Sequence, residues 1–597
     1  DIVGGFDARI KKSSNIELNN LPFRDGKIKL QGVDLKNNKP HTYRVTFFGN
    51  TVELKDLLGE DKLSALSNLI SLNTSYDIAS VKSGLQLDPT TNDVIVPLIT
   101  HTDRLTYNST IGNNAVGNVA YESGKYRGVE WSELKYALRL QSIIEAIEAQ
   151  YSISFSDDFF VDTNKSFYNL FMWLHRKKGD VKDVGELSEL IMDGFPPPYQ
   201  QNDNTQTFLK DSSTLKFLGS GVYTNNCKLQ FFTNNTTDSY SVSLKRNGVD
   251  YVSFNDIVGH LTINQFNFSG NYTIYISSSS NIVFTNIRYF IEYQHDQYSS
   301  VNSIFYSSGQ YEHINQFVFD ITQQIPEMKV IDFLSGIFRS FNLTAYFEND
   351  IIVVKTLDSF YNGGSSYDIT KYVDVDKSSV NLALPYREIN FQHEDTKTFL
   401  AAQHKQKFAK TWGLTEYESE TNGLDGSIYN IKTPFAQMKY ERLIDLNTDA
   451  NTTVQYGYFV DDNQESYFGK PLIFYPIRQV GADDISFVEG VASHSALTTY
   501  NIPSNSVDLD SSTSSYNLNF YNETNEYTGD STFTNTLFQA YYSNYITSVF
   551  NLSNRISKVS AYLPLRILLN YTLADRFIIG GHSYKINSIT TNLETGK

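Results

Sequence analysis

The chain has 597 residues and a mass of 67.9 kDa, which corresponds to about four domains of roughly 150 residues and excludes a peptide hormone or a disulfide miniprotein. Lys and Arg number 49 against 66 Asp and Glu, so the net charge is −17, which argues against sequence-specific binding of duplex DNA. The one cysteine, Cys227, excludes an intrachain disulfide and a paired-cysteine metal site, and we interpret it as a small strand residue.

Aromatic residues are unusually frequent, since 41 Tyr and 40 Phe stand in a chain with only 19% charged residues. Tyr and Phe are favoured in β-strands and in large protein interfaces. No apolar run approaches the roughly 18–20 residues that cross a bilayer, and residues 1–5 lack the basic-then-apolar pattern of a signal peptide. We therefore expect a mainly β, soluble chain.

Two strand-like runs open the chain, at residues 28–33 and 43–48, with a polar loop at 37–40 between them. This arrangement predicts a β-hairpin. Residues 49–63 add a turn and two short apolar-periodic pieces, and extended segments continue to about residue 125.

A helical period first appears at residue 140, where apolar side chains recur at i, i+3, i+4, i+7 and i+11. This stripe predicts one face of a helix, and a strand at 153–155 follows it. The members of the stripe are Leu140, Ile143, Ile144, Ile147 and Tyr151.

The same stripe returns 190 residues later, and a strand again follows it, beginning at Leu343 and continuing after a turn at residues 351–355. The constant offset predicts an internal duplication of a helix-strand unit. The alternative is that two amphipathic helices coincide over a short window. The members of the second stripe are Val330, Phe333, Leu334, Ile337 and Phe341.

Between the two units, a triple proline at 196–198 opens a stretch of different character that runs to about residue 310. Its short aromatic strands are separated by Ser, Asn and Gly turns, which is typical of a β-sandwich inserted into the first unit. The predicted strands are 228–232, 240–244, 251–254, 272–276, 282–285 and 289–293.

The C-terminal part is predicted as further extended segments at 367–372, 388–391 and 435–443, followed by a Ser-rich surface loop at 504–515. A helix around Leu537, Tyr541, Tyr545 and Val549 precedes closing strands. These closing strands are predicted at 556–563 and 576–589.

The sequence predicts no catalytic, cofactor-binding or metal-binding residue. His393, Glu394 and His404 lack the spacing of a zinc HExxH motif, and we expect them at the surface. The acidic run 461–465 lacks the spacing of a calcium loop and predicts a solvated turn, and 219–221 lacks the Gly-Lys-Ser/Thr of a phosphate cradle.

Two weaker chemical interpretations remain open. Scattered Asp and Glu could include a glycosidase pair, although no pair is singled out by the sequence. The aromatic side chains of 196–320 could stack on sugar rings, but their alternation favours an ordinary core.

Several segments resemble tail structural proteins of bacteriophages that infect Bacteroidetes-type hosts. The closing segments LADRF (573–577) and YKINSI (584–589), with AYLP (561–564) and TNLETGK (591–597), are similar to the final strands of those proteins. The remaining segments that carry the resemblance are YRVTFFGN (43–50), LKDLLG (54–59), PEMKVIDFL (326–334) and FNLTAY (341–346).

Duplicated β modules with helix-strand decorations are similar to the tail hub family, which includes the baseplate hubs of contractile tails. The resemblance covers most of the chain outside 196–320 and the Ser-rich loop. It implies a mainly β (α+β) fold with two tube-like β-barrel modules, plus the inserted β-sandwich as a departure from the family. It also implies a homotrimer, in which six barrels match a sixfold tail tube.

The resemblance implies a non-enzymatic virion protein. It would form a ring at the tail tip or baseplate, continue the tail tube for viral genome ejection, and contact a tail tube or distal tail protein and spike, fibre or tape-measure proteins. DNA would pass through without specific binding, no cofactor would be needed, and a host glycan is a candidate ligand of the insertion. The alternatives are a secreted or surface glycan-binding β-sandwich protein, expected to be a monomer, and a polysaccharide-cleaving tail enzyme.

The predicted division has five parts. They are a first hub module with a β-barrel and a helix-strand unit (1–195), the inserted β-sandwich (196–320), the second helix-strand unit with the first part of a second β-barrel (321–450), a loop-rich β insertion (451–535), and a C-terminal helix with closing strands (536–597).

Overall fold

The structure is a computed structural model, and 46% of it is strand and 22% helix, so the chain is mainly β as predicted. It describes residues 11–18, 21–49, 54–110, 117–176, 181, 188–189, 208–211, 214–217, 222–246, 249–264, 271–278, 282–295, 301–307, 310–313, 318–348, 351–382, 386–394, 398–409, 411–418, 427–466, 468–490, 493–508, 516–521, 523–524, 531–533, 535–549, 551 and 554–592.

The first part of the chain combines an antiparallel sheet of three long strands with short strands and helices. Its strands are β1 (Lys12–Leu18), β2 (Leu21–Lys36), β3 (Lys39–Gly49), β4 (Thr74–Ser75), β5 (Val94–Ile95), β6 (Ile99–Thr100), β7 (Val129–Glu130), β8 (Ala137–Arg139) and β9 (Phe171–Trp173). Its helices are α1 (Leu54–Leu58), α2 (Ile78–Gln86), α3 (Leu140–Tyr151) and α4 (Lys165–Tyr168), with 3₁₀ turns at Leu63–Ala65, Ser67–Leu72 and Trp131–Glu133.

The middle part is all β in its described residues. Its strands are β10 (Ser188–Glu189), β11 (Phe208–Asp211), β12 (Thr214–Phe217), β13 (Val222–Thr233), β14 (Tyr240–Arg246), β15 (Val249–Ile257), β16 (Leu261–Asn264), β17 (Asn271–Ser277), β18 (Ile282–His295), β19 (Val301–Ser307) and β20 (Tyr311–His313).

The last part returns to mixed structure. Its strands are β21 (Val318–Phe319), β22 (Leu343–Glu348), β23 (Ile351–Thr356), β24 (Ser366–Asp368), β25 (Val373–Leu382), β26 (Tyr386–Glu394), β27 (Thr415–Glu418), β28 (Ser427–Ala436), β29 (Glu441–Asp445), β30 (Ala450–Tyr458), β31 (Ile473–Gly490), β32 (Ser493–Ser504), β33 (Glu523–Thr524), β34 (Ser531–Phe533), β35 (Arg555–Ala561), β36 (Arg576–Ile579) and β37 (His582–Lys585). Its helices are α5 (Ile321–Gln324), α6 (Val330–Ser340), α7 (Leu357–Asn362), α8 (Phe399–Phe408), α9 (Ser543–Val549) and α10 (Leu565–Asn570), with a 3₁₀ turn at Thr370–Tyr372 and a π-helical turn at Phe538–Tyr542.

One mixed sheet joins the first and last parts of the chain. Its strand order is β32-β31-β9-β8-β5, with β7 paired to β31 as well. The link is the antiparallel pairing of Met172 with Ile473 and of Phe171 with Phe474. All four side chains are buried, so the sheet lies between packed layers and its strands are apolar on both faces.

Both predicted amphipathic helices are confirmed as α3 and α6. Four members of the first stripe and all five of the second are buried, and all of these belong to one continuous apolar cluster. In α6 the position 190 residues after Ala146 is Gly336, where an added Cβ would lie 2.6 Å from the Phe435 ring. The missing side chain therefore lets α6 pack closely on β28.

The segment 153–155 was predicted as a strand and instead makes a single parallel bridge, from Phe155 to Ile352 in β23. The amide of Ser156 donates to the Ile352 carbonyl at 3.0 Å, and the amide of Ile352 donates to the Ser154 carbonyl at 2.9 Å. The segment after the first helix thus pairs with the strand after the second helix. The two units share backbone hydrogen bonds as well as a core, while their origin by duplication stays a prediction.

The middle part forms two sheets around a core of their own. One has the order β11-β12-β17-β14-β15 and the other the order β16-β13-β18-β19. Residues from both sheets build a separate cluster of twelve buried side chains, among them Phe231, Tyr240 and Phe284. All six predicted strands fall on observed ones, except that 282–285 and 289–293 belong to the single strand β18. The triple proline at 196–198 lies outside the described residues.

The C-terminal predictions differ from the structure in their details. The helix predicted around Leu537 is a π-helical turn continued by α9, and the closing segment 576–589 is the hairpin β36–β37. Gly580 and Gly581 connect its strands with φ of 57° and 84°, which glycine adopts without strain. Residues 473–490 and 493–504, predicted within a loop-rich β insertion, form the long strand pair β31–β32, and residues 491–492 and 509–515 lie outside the described residues.

No sheet formed by the described residues closes into a barrel. The mainly β class is confirmed, and the prediction of two tube-like β-barrel modules is not confirmed. The open sheets leave unpaired strand edges, which another chain could pair with.

A buried arginine fixes the start of α3. The Arg139 side chain is 1% exposed, and its Nε donates to Asp93 Oδ1 at 2.7 Å. Its other nitrogens donate to the carbonyls of Tyr168, Pro89 and Asn92 at 2.7–2.9 Å. The guanidinium thereby connects the loop before β5, the end of α4 and strand β8.

We expect Arg139→Met to destabilise the chain by about 3–5 kcal/mol, because it leaves Asp93 and three carbonyls, of which that of Pro89 lies in a fully buried hydrogen bond, without their donor. The measurement is the urea midpoint followed by tryptophan fluorescence, since Trp131 and Trp173 lie in this region. The matched control is Arg387→Met on the exposed side of β26, which should change stability by no more than about 0.5 kcal/mol. Equal midpoints for the two variants would contradict the role of Arg139.

Candidate functional site

The densest group of buried ionisable side chains lies beside strands β8 and β9. It consists of His101, Glu133, Lys135 and His175, each 7% exposed or less. His101 follows β6, Glu133 ends a 3₁₀ turn, and Lys135 and His175 flank the β8–β9 pair. We call these four residues the polar joint, because they come from three separate stretches of the chain.

Glu133 is held by backbone donors. Its Oε2 accepts from the amides of His101 at 3.0 Å and Thr102 at 2.9 Å, and its Oε1 accepts from the Thr102 hydroxyl. Burial nevertheless dominates and raises the pKa of Glu133 to about 7. The carboxyl group therefore takes up a proton at a higher pH than an exposed glutamate does.

The imidazoles of the polar joint are neutral at pH 7. Burial, assisted by the charge of Lys135, lowers the pKa of His101 and His175 to about 4. The His175 ring stacks on Trp173 with centroids 4.8 Å apart, and its Nδ1 lies 2.9 Å from the Trp173 carbonyl oxygen. The Lys135 Nζ lies 5.4 Å from the centre of the same indole ring, so a cation–π contact accompanies its burial.

The polar joint connects chain segments and presents no open nucleophile or acid. The Ser466 hydroxyl donates to the His101 carbonyl, and the Phe459 ring packs against Trp173 and His175 at 4.9 and 5.0 Å. A general acid or base must reach a bound substrate, and these groups contact other core residues instead. The arrangement stabilises the contact between the first and last parts of the chain.

His393 was expected at the surface, and this expectation is wrong. The side chain is 6% exposed, with Nδ1 2.7 Å from Thr433 Oγ1 and Nε2 2.9 Å from the Leu518 carbonyl oxygen. Burial lowers its pKa to about 4. Both ring nitrogens have hydrogen-bond partners, so His393 is a core histidine and is not available as a metal ligand. The Oε1 atom of its neighbour Glu394 lies 3.2 Å from Lys432 Nζ. His404 is half-buried on α8.

The acidic run 461–465 is a turn, as predicted. Asp461 Oδ1 accepts from the amides of Asn463 and Glu465 at 2.9 and 3.0 Å, so its carboxylate caps the turn itself. Within the described residues, no group of three or more His, Cys, Asp and Glu side chains is placed to hold a metal ion. Cys227 lies in β13 as predicted, and 219–221 is outside the described residues.

Two exposed sheets are the clearest surface feature that the sequence reasoning missed. One is the three-stranded sheet β1–β3, and the other is the two-stranded ribbon β25–β35. None of their described side chains belongs to any of the three buried apolar clusters. Val375, Val380 and Ile556 on the ribbon are exposed, and so are Leu35 and Tyr43 on the sheet.

Such sheets need another surface to be stable. A two-stranded ribbon is marginal alone in water, and long exposed apolar edges invite pairing with another chain. Sequence reasoning found the strand 43–48 but not its exposure, because apolar residues at strand spacing look the same whether they face a core or a partner. The exposed sheets are therefore the candidate functional site, as an assembly surface.

Comparisons with family models, with curated proteins and with solved structures find no match to this chain. In the described part of the chain, no helix combines the length and apolar character needed to cross a bilayer. The case for a function therefore depends on the residues and their geometry.

The buried histidines make stability depend on pH. A folded-state pKa of about 4 for His393 means that the unfolded chain, near 6.5, binds more protons between these values, so stability falls as pH falls from about 6.5 towards 4. We expect wild-type protein to lose about 2 kcal/mol between pH 7.5 and pH 5 through this residue alone. His393→Gln should lose correspondingly less over the same interval.

The measurement is the urea midpoint at the two pH values, compared as a difference so that a constant destabilisation by the substitution cancels. The matched control is His582→Gln, on the exposed hairpin β36–β37, which should leave the pH difference unchanged. If the His393 variant showed the same difference in urea midpoint between the two pH values as the wild type, the burial of His393 would have no energetic consequence.

Proposed function

We propose that this chain is a non-enzymatic structural subunit of a bacteriophage tail. In this proposal three copies form a ring, a tail hub at the tail tip or baseplate, which continues the tail tube and connects it to spike, fibre or tape-measure proteins. The observation that carries the proposal is the pair of exposed, coreless sheets, β1–β3 and β25–β35. The sequence resemblance to phage tail proteins supports a position of this assembly in the virion.

A tube wall that is shared between subunits requires each subunit to contribute an open sheet. A barrel has no edges, so a barrel built from several chains leaves each isolated chain with unpaired strands. The five strands of the two exposed sheets are candidates for that wall. In this proposal the tube-like barrels exist only in the assembled ring.

The paired helix units support a pseudo-sixfold ring. α3 and α6 start 190 residues apart and share one apolar cluster, so each chain has two similar helical positions. Three such chains present six similar positions, which fits a sixfold tube above them.

The absence of enzymatic activity is part of the proposal. The buried carboxyl group and imidazoles with shifted pKa values, those of Glu133, His175 and His393, form hydrogen bonds within the core. A working site would instead hold perturbed groups around an accessible cleft.

The glycan-binding alternative has less support. Phe231, Tyr240 and Phe284 of the middle sheets lie inside their own core, as alternating core residues do, and are not free to stack on a sugar. In the proposal the middle part is a separately folded sandwich that projects from the ring, and a host glycan remains only a candidate ligand of its surface.

We expect native mass spectrometry to find a species of three chains, each of 67.9 kDa, and electron microscopy to find it as a ring. A variant lacking residues 196–313 should still form the trimer, because the middle sheets have a separate core and this deletion keeps Phe319, which is buried in the main cluster. The matched control lacks 373–382, the ribbon strand β25, and should not form it. A full-length chain that stays monomeric at micromolar concentration would overturn the proposal.

A channel for DNA should not retain DNA. With a net charge of −17 per chain, we expect lumen-facing residues to be acidic or neutral polar, so that phosphate contacts do not hold the polymer. The purified trimer should leave the mobility of linear duplex DNA unchanged in a gel shift at low salt. A shift whose affinity falls steeply with added salt would contradict the proposal, and loss of that shift in Lys36→Glu/Lys39→Glu would place the contact on the β2–β3 hairpin.

A further inference from the structure

The far end of the β2–β3 hairpin is fully exposed. Every residue from 34 to 45 is exposed, on both faces of the hairpin, including Leu35 at 61% and Tyr43 at 63%. Strands usually bury at least one face, so the outward apolar side chains leave this hairpin end without the contacts that hold a sheet. We call residues 34–45 the arm end.

We call residues 11–49 the arm, and it differs in charge from the rest of the chain. The arm carries eight Lys and Arg against three Asp and Glu, although the chain as a whole has a net charge of −17. At the arm end, Lys36 and Lys39 flank the turn at Asn37 and Asn38. The arm end therefore combines exposed apolar side chains with positive charge, and a surface that fits it should be apolar and negative.

Such a surface occurs elsewhere on the same chain. The end of β29 exposes Ile444 at 44%, the turn after it exposes Leu446 at 53%, and the bulge within β31 exposes Val480 at 68%. Asp449 follows in the same turn and Asp483 in the same bulge, and both are exposed. We call residues 444–449 with 480–484 the acidic tip.

Hydrogen bonds hold the two halves of the acidic tip together. The Tyr107 carbonyl accepts from the Leu446 amide at 3.0 Å, and the Tyr107 hydroxyl lies 3.2 Å from Asp484 Oδ1. The amide of Thr453, in β30, donates to Asp483 Oδ2 at 2.8 Å. These hydrogen bonds fix the backbone that carries the exposed apolar side chains of the acidic tip, and carboxylates lie around those side chains.

We propose that the arm end of one copy packs on the acidic tip of a second copy. Leu35 and Tyr43 would cover Ile444, Leu446 and Val480, while Lys36 and Lys39 would approach Asp449 and Asp483. The contact joins two different surfaces, so each copy gives an arm and receives one, and such contacts close into a ring when the rotation between copies permits. The inference rests on the proposed function for the requirement that several copies meet.

The test uses cross-linking between separately prepared variants. In a Cys227→Ser background, one sample carries Leu35→Cys and another carries Leu446→Cys, and the two are mixed and treated with a short bismaleimide. We expect a covalent dimer whose peptides join positions 35 and 446. The matched control replaces the second sample with Val249→Cys, a 70% exposed residue of β15, and should give no such product above background.

Charge reversal tests the electrostatic part. Lys36→Glu/Lys39→Glu in the Leu35→Cys sample should lower the yield of the 35–446 product by about tenfold, as should a rise from low to high salt. Yields unaffected by both changes would overturn the proposed charge complementarity. A 35–446 product that forms only within a chain carrying both cysteines, and never in the mixture, would overturn the contact between copies.

The outcome separates this inference from the proposed function. If native mass spectrometry finds trimers but the mixture gives no 35–446 product, the arm contact is refuted and the ring stands. If the chain is monomeric and gives no product, both are refuted. A product in the mixture together with trimers supports both.

Discussion

The pairing of β9 with β31 is the contact on which the rest of the molecule depends. It pairs residues 171–172 with 473–474, across about half the chain, inside a sheet whose linking side chains are all buried. The Phe155–Ile352 bridge and the shared apolar cluster reinforce this connection between the first and last parts of the chain. The acidic tip lies on the strand pair β31–β32 and at the end of β29, so the same pairing helps to place the tip relative to the core.

The polar joint lies directly beside this pairing and carries an energetic cost. Burying Glu133 and Lys135 removes them from water, and a hydrophobic replacement of the same shape could be as stable. What the polar groups add is selectivity for one packing arrangement. The amides of His101 and Thr102 can both donate to the Glu133 carboxylate only when these chain segments have one relative position. We interpret the joint as a device that fixes the register between distant segments, and Arg139 has the same effect on the loop before β5.

Local periodicity explains what the sequence could predict. The helices α3 and α6 could be predicted because an apolar spacing of 3.6 residues is recognisable within a dozen residues. The strands of the middle part could be predicted because the alternation of apolar and polar residues, and the turn residues, are equally local. The partner of Met172 could not be found, because nothing near residue 172 specifies Ile473. His393 was misplaced for a related reason: a motif search asks about neighbours in sequence, whereas its hydrogen-bond partners are Thr433 and Leu518.

The barrel prediction concerns contacts that lie beyond one chain. β25 and β35 pair with each other and expose Val375, Val380 and Ile556, and in the proposed ring a neighbouring copy would cover these side chains. The charge distribution would give that proposed association a direction. A uniformly acidic chain would repel its copies, whereas under the proposal the basic arm of an otherwise acidic chain would attract the acidic tip of the next copy at one place. The proposed association would then run from arm to tip, which is the polarity that a closed ring needs.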